Sequence, residues 1–144
     1  MDTIQLFYFI KSIHEPLAGL SFLAVIISDL YGATWVMGWQ KNLNRRILEV
    51  MHRLVYVGLG GLILTGLSMV ALNSEEFLTN ITFWAKMFFV AVLFWNAERI
   101  GKEVEMPAHK TFSELTWAQK KHIFIVGGTS IVSWVAVLVL AGML

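Results

Sequence analysis

The chemistry available to this sequence rests on a few side chains in unusual settings: Asp29 and Lys86 inside apolar runs, histidines at 14, 52 and 122, and Met69. An Asp or Lys within hydrocarbon costs roughly 2.5–3.5 kcal/mol even on the lenient insertion scale, so each is a functional candidate. Counted from the start of its apolar run, Asp29 lies about 13 residues in and Lys86 about 8, a height difference of about 8 Å. A lysine stem spans much of that gap, which allows an ion pair or a proton-handling site. The plainer reading is that Lys86 snorkels outward and that Asp29 caps a backbone group or is protonated. Neutral imidazole is the usual axial ligand of haem iron in membrane bundles. His14 lies near one membrane surface, whereas His52 and His122 lie near the other. His14 and His122, close to the full hydrocarbon thickness of about 30 Å apart, cannot share an iron. His52 and His122 match in depth, but His52 is turned about 120° from the face of Gly58 and Thr65. A haem near the first surface takes His14, with Met69 or an open position opposite. His109 falls in a loop and is expected to be solvated.

Other chemistries are excluded by what is missing. The chain has no cysteine, which removes disulfides, thiol catalysis and thiolate metal sites. It has no HExxH, GxSxG, Walker-type glycine loop or CxxC. Glycines 58, 60 and 61 lie within an apolar span and cannot cradle phosphate.

The elements that must position these residues follow from hydropathy. With 57% hydrophobic residues among 144 and a mean hydropathy of +0.67, the chain exceeds the roughly 45–50% apolar content of soluble domains. A formal net charge of +1 gives no basic excess for nucleic acid. Asp2 precedes the first apolar run and no cleavage site follows it, so that run is expected to stay in the mature protein. Stretches 16–39, 54–73, 78–97 and 123–144 each meet the requirement of about 20 apolar residues for a span. The predicted fold is a single all-α domain over 1–144, an integral membrane four-helix bundle. Connections 40–53 and 98–122 carry Lys41, Arg45, Arg46, Arg53, Arg99, Lys102, Lys110, Lys120 and Lys121, whereas NSEEFLTN at 73–80 carries two glutamates and no base. The positive-inside rule puts the two basic connections in the cytoplasm and both termini outside.

Helical periodicity assigns the faces. His14, Ala18, Ser21, Val25, Ser28, Asp29 and Gly32 share one stripe of the first helix, opposite Leu20, Leu23, Ile27 and Leu30. Gly58, Gly61, Thr65 and Met69 share a face of the second, where small residues allow close approach. The third aligns Thr79, Thr82 and Lys86; the fourth aligns His122, Thr129, Ser133 and Ala136. The second helix is expected to start near Asn44. A Thr111–Glu114 capping box is expected to open the fourth about two turns before Ile123. Pro107 is expected in the one real loop, and Trp39, Trp84 and Trp117 at span ends. Whether the first helix runs unbroken through Pro16 is open, since a first-turn proline would start a helix there.

Three stretches carry a family resemblance. KSIH at 11–14 resembles the Lys-x-x-His that opens the first helix of small bacterial membrane proteins including the haem-containing protoporphyrinogen oxidases and the copper-resistance D family. HRLVYVGLGGLILTGLSMVAL at 52–72 resembles their glycine-rich second helix, and WAKMFFVAVLF at 84–94 their third, with Lys86 matching a lysine near its start. The resemblance covers about the first two-thirds of the chain. Glu15, Pro16 and Asp29 stand in the region where the oxidases continue with tryptophan, glycine and arginine, and Asn96 falls near a histidine of theirs, which departs from porphyrinogen oxidation itself. The resemblance implies a four-helix scaffold and a b-type haem held by His14, with Lys86 toward a propionate or an acidic partner.

The expectation is therefore a small membrane protein that binds haem b and acts in membrane redox or tetrapyrrole chemistry, as a haem-dependent oxidoreductase in its enzymatic form. The alternative is an ion-handling, transporter or accessory subunit without a cofactor. Membrane lipid surrounds it in either case, with a homo-oligomer or a membrane partner protein expected.

Overall fold

The computed structural model describes residues 2–144. Helix α1 spans Thr3–Val36, α2 Arg45–Leu72, α3 Ser74–Leu78, α4 Ile81–Lys102, α5 Glu105–His109 and α6 Trp117–Gly142, with a 3-10 turn at Phe112–Glu114. Among the described residues four helices are long and apolar enough to cross a membrane. The architecture is all-α, as the hydropathy pattern requires. α1 packs chiefly on α2 and α4 on α6, and the two hairpins meet through α2–α4 and α1–α6.

α1 is one continuous helix through Pro16. It opens on a capping box, with Asp2 accepting from the Gln5 N–H. An interior proline frees the carbonyl four residues back and costs about 3 kcal/mol in a soluble helix. In lipid the remaining backbone bonds have no competitor, and Pro16 sits on the exposed side. α1 ends at Val36, three residues short of the expected Trp39. There the Met37 N–H bonds the Ala33 carbonyl and Gly38 takes a φ of 75°, a left-handed value that favours glycine.

The other boundaries follow local caps. Asn44 caps α2 by accepting from the Arg46 and Ile47 N–H groups, where the second helix is expected to start. α2 and α6 outrun the predicted spans at their starts, and α4 runs from Ile81 to Lys102 instead of 78–97. The Thr111–Glu114 capping box is present but opens only the 3-10 turn. α6 begins at Trp117, capped by Thr116 and Gln119, because Leu115 and Thr116 are extended and break the helical path. Pro107 lies inside α5 rather than in a loop. Thr79 caps α3 and so does not belong to the α4 face that carries Thr82 and Lys86.

One end of the bundle carries both termini and the 73–80 connection; the other carries 37–44 and 103–116. We call these the terminal and basic ends. At the basic end Trp35, Leu43 and Leu115 are buried together. The Trp35 indole donates to the Lys110 carbonyl at 2.9 Å, and the Leu43 N–H to the Pro107 carbonyl at 2.8 Å. This plug ties the hairpins to each other. The central core holds Val25, Leu59, Leu93, Ala97, Trp134 and Val137. Leu20, Leu23, Ile27 and Leu30 are exposed, the lipid-facing side that the pattern assigns them. Trp39 and Trp117 are exposed at helix ends and the Trp84 indole bonds the Leu78 carbonyl.

Candidate functional site

Small residues decide how the first site is assembled. Gly58 lies against Ser21 and Gly61 against Leu17: a Cβ on Gly61 would come within 2.8 Å of Leu17 Cδ2. Close approach of α1 and α2 along this seam brings His14 to Thr65 two turns further on, with Nδ1 and Oγ1 2.7 Å apart. Thr65 Oγ1 also lies 2.8 Å from the Gly61 carbonyl. A hydroxyl has one proton. Back-bonded to Gly61 it leaves a lone pair for His14, so Nδ1–H donates and Nε2 keeps its lone pair. The tautomer is assigned from that bonding pattern. Gly66 faces His14 Cε1, and a Cβ there would sit 3.6 Å from it.

Lys86, in the first turns of α4 at the same end of the bundle, is half-buried and forms no ion pair among the described residues. Met69 is buried on the same face of α2, one turn nearer the terminal end than Thr65. No residue of α1 ahead of Ser21 is buried, so the flank of α1 that carries His14 is only partly covered by the rest of the chain.

Asp29 does not belong to this group. About 15 residues of α1 separate it from His14, roughly 22 Å along the axis, and Lys86 stands at the His14 end. The expected Asp29–Lys86 approach fails for a physical reason. The first helix begins at Thr3, not at Pro16, so Asp29 lies far deeper than a span of 16–39 implies. Asp29 instead shares a cavity of about 80 Å³ with His52, Ser28 and Ser130.

The histidines of the basic end also part company. His122 is held on both ring nitrogens, Nε2 by the Glu103 carboxylate and Nδ1 by the Arg99 guanidinium at 3.4 Å. His52 packs on Gly101, where a Cβ would sit 2.6 Å from Nε2, and stacks near Tyr56 with ring centroids 5.6 Å apart. It reaches the interior although it lies well around the helix from Gly58. Removing residue 101's side chain is what lets the ring in. His109 is exposed and pairs with Glu105. Asn96 is buried and donates to the Val126 carbonyl at 2.9 Å, so it serves as a tie between α4 and α6.

Sequence reasoning passed over Ser130 and Gly101. Ser130 is three residues before Ser133 and four before the buried Trp134, a spacing that marks the same face. Gly101, in the last turn of α4, is a helix-weakening residue whose only visible use is room for a neighbour. Among the described residues no three His, Cys, Asp or Glu side chains converge as a metal cage. No protein-family model matches the chain, and neither a curated protein nor a solved structure matches it.

Proposed function

We propose that this chain is a small integral membrane protein that binds haem b through His14 and takes part in membrane electron transfer or tetrapyrrole chemistry. The carrying observation is the His14–Thr65 hydrogen bond, which presents a neutral imidazole with Nε2 as a lone-pair donor. Ligating histidines ordinarily have their other nitrogen held in this way. The donor set suits a haem better than a bare ion, since haem iron needs only one or two protein ligands and no cage of three is built. Lys86, without an acidic partner, supplies a positive charge for a propionate. Met69 offers the soft donor on the same α2 face. Haem b held there would supply one-electron transfer; the protein's part is to hold the imidazole, neutralise a propionate and shield the site from water. The uncovered flank of α1 leaves room for a planar group or for a neighbouring protein, another copy included.

The charge distribution supports an orientation with connections 40–53 and 98–122 in the cytoplasm and both termini outside, in a bacterial inner membrane.

The test is a spectrum of protein purified in detergent from haem-replete cells. The wild type should show a Soret band, and His14→Ala should lose it while eluting at the same size. A colourless wild-type protein would sink the haem reading and leave the ion-handling or accessory one, which vesicle flux of wild type against Asp29→Asn would then address.

A further inference from the structure

The cavity at the basic half of the bundle is separate from the His14 site and has no place in the haem reading. Four elements wall it: α1 through Val25, Ser28 and Asp29, α2 through His52, α4 through Leu93 and α6 through Ser130. Its volume of about 80 Å³ has room for about two to three waters at roughly 30 Å³ each. The lining is apolar except for the carboxyl, the imidazole, the two hydroxyls and the indole N–H of Trp134.

Asp29 Oδ2 is buried and without a hydrogen-bond partner. The hydroxyl of the buried Ser130 and the half-buried Ser28 and His52 side chains form no hydrogen bond among the described residues. On α1 and α2, Ser12, Ser21, Thr34, Thr65 and Ser68 bond a carbonyl of their own helix, whereas on α6 Thr129 and Ser133, like Ser130, form no such bond among the described residues. Polar groups buried in protein at membrane depth are ordinarily paired. Here they converge on space that water fits.

The charge of Asp29 has no fixed counter-ion. Lys86 is at the other end of the bundle. Arg45 is exposed and bound to Glu49 and Glu105. Arg46 and Arg53 are exposed on α2. On α4, Ala97 and Ile100 border the cavity and carry no charge; Arg99 and Glu103 beyond them are engaged with His122 of α6. α5 contributes no titratable group to the lining. His52 is thus the one base on the cavity wall.

We infer that Asp29 and His52 form a proton-exchange site across a hydrated cavity. A proton leaves the Asp29 carboxyl as its O–H bond breaks, passes along the intervening water, and forms an N–H bond on the His52 imidazole; the electron pairs stay on oxygen and nitrogen, and the reverse transfer restores the acid. Ser28 and Ser130 hold the water that carries it. Gly101 sets the geometry, because any side chain there displaces the His52 ring.

The test is infrared difference spectroscopy of the full-length protein in lipid nanodiscs, titrated from about pH 4 to 9 around the ordinary carboxyl and imidazole ranges. A carboxylic-acid carbonyl band should titrate within this range and vanish in Asp29→Asn. His52→Gln should shift its midpoint by about one pH unit or more, the scale of a directly coupled pair. Gly101→Ala, which adds and removes no titratable group, should shift it too, whereas Gly128→Ala, whose Cβ meets nothing within 4 Å, should not. An Asp29 band that never titrates in the range, or one unmoved by both His52→Gln and Gly101→Ala, overturns the inference. If His52→Gln fails to fold, Gly101→Ala alone decides.

Discussion

At the scale of single residues, Thr65 shows how a hydroxyl with one proton determines the state of its neighbour. By sending that proton to Gly61 it makes His14 a donor at Nδ1 and a base at Nε2. Thr65→Val keeps the shape and removes the acceptor. Loss of an outer-shell partner typically weakens a ligated group about 10–100-fold, so the proposed haem binding predicts that retention in Thr65→Val, read by Soret absorbance during detergent dilution, falls by that order while folding persists. Retention equal to wild type would show that the bond does not orient the ligand. His14 and Lys86 stood out in the sequence because charge and imidazole are rare in apolar runs. Thr65 did not stand out as a partner, since a threonine in a membrane helix is ordinary until the neighbour it touches is known.

The elements depend on small contacts at particular positions. At Gly58 an added Cβ meets Ser21, reaching its Cβ at 3.0 Å. Ser21 is itself bonded to the Leu17 carbonyl and is too short to swing clear, so the helices must separate. Gly58→Ala should cost about 1–3 kcal/mol, the range for overpacking, measured by thermal or denaturant unfolding in detergent. Gly60→Ala, with nothing within 4 Å, should be neutral or slightly stabilising through helix propensity. Equal effects would contradict the close seam. The 111–116 corner carries a pH dependence. The Thr111 N–H, donating at 2.7 Å, and then the Thr111 hydroxyl hold the Glu114 carboxyl below the usual glutamate value. The cap's contribution is therefore complete above the unfolded glutamate value and is lost as pH falls through the lower folded one. Acidification through that window should raise amide exchange at Thr111 and leave the spans protected.

For the whole molecule, the absence of cysteine makes topology easy to read with single substitutions. Glu76→Cys, in the 73–80 connection, should react with an impermeant maleimide on intact cells, and Lys110→Cys only after permeabilisation; the opposite pattern would invert the proposed orientation. Spans, class and lipid-facing stripes were legible in the sequence, because apolar length and 3.6-residue periodicity are local properties. The course of α1 through Pro16 was not legible, since a proline is compatible with a kinked interior and with a first turn, and only packing against α2 chooses between them. That single choice set the height of Asp29 against the other helices and so parted it from Lys86, which lies at the His14 end about 22 Å along the axis. Which ionisable groups meet depends on helix length and rotation together, quantities that accumulate over the whole element. The sequence by itself thus determined an all-α membrane bundle and the roster of unusual residues within it. Only the tertiary structure brought His14 to Thr65 and set Asp29 on one cavity wall with His52, because each juxtaposition is between helices whose relative heights no local pattern contains.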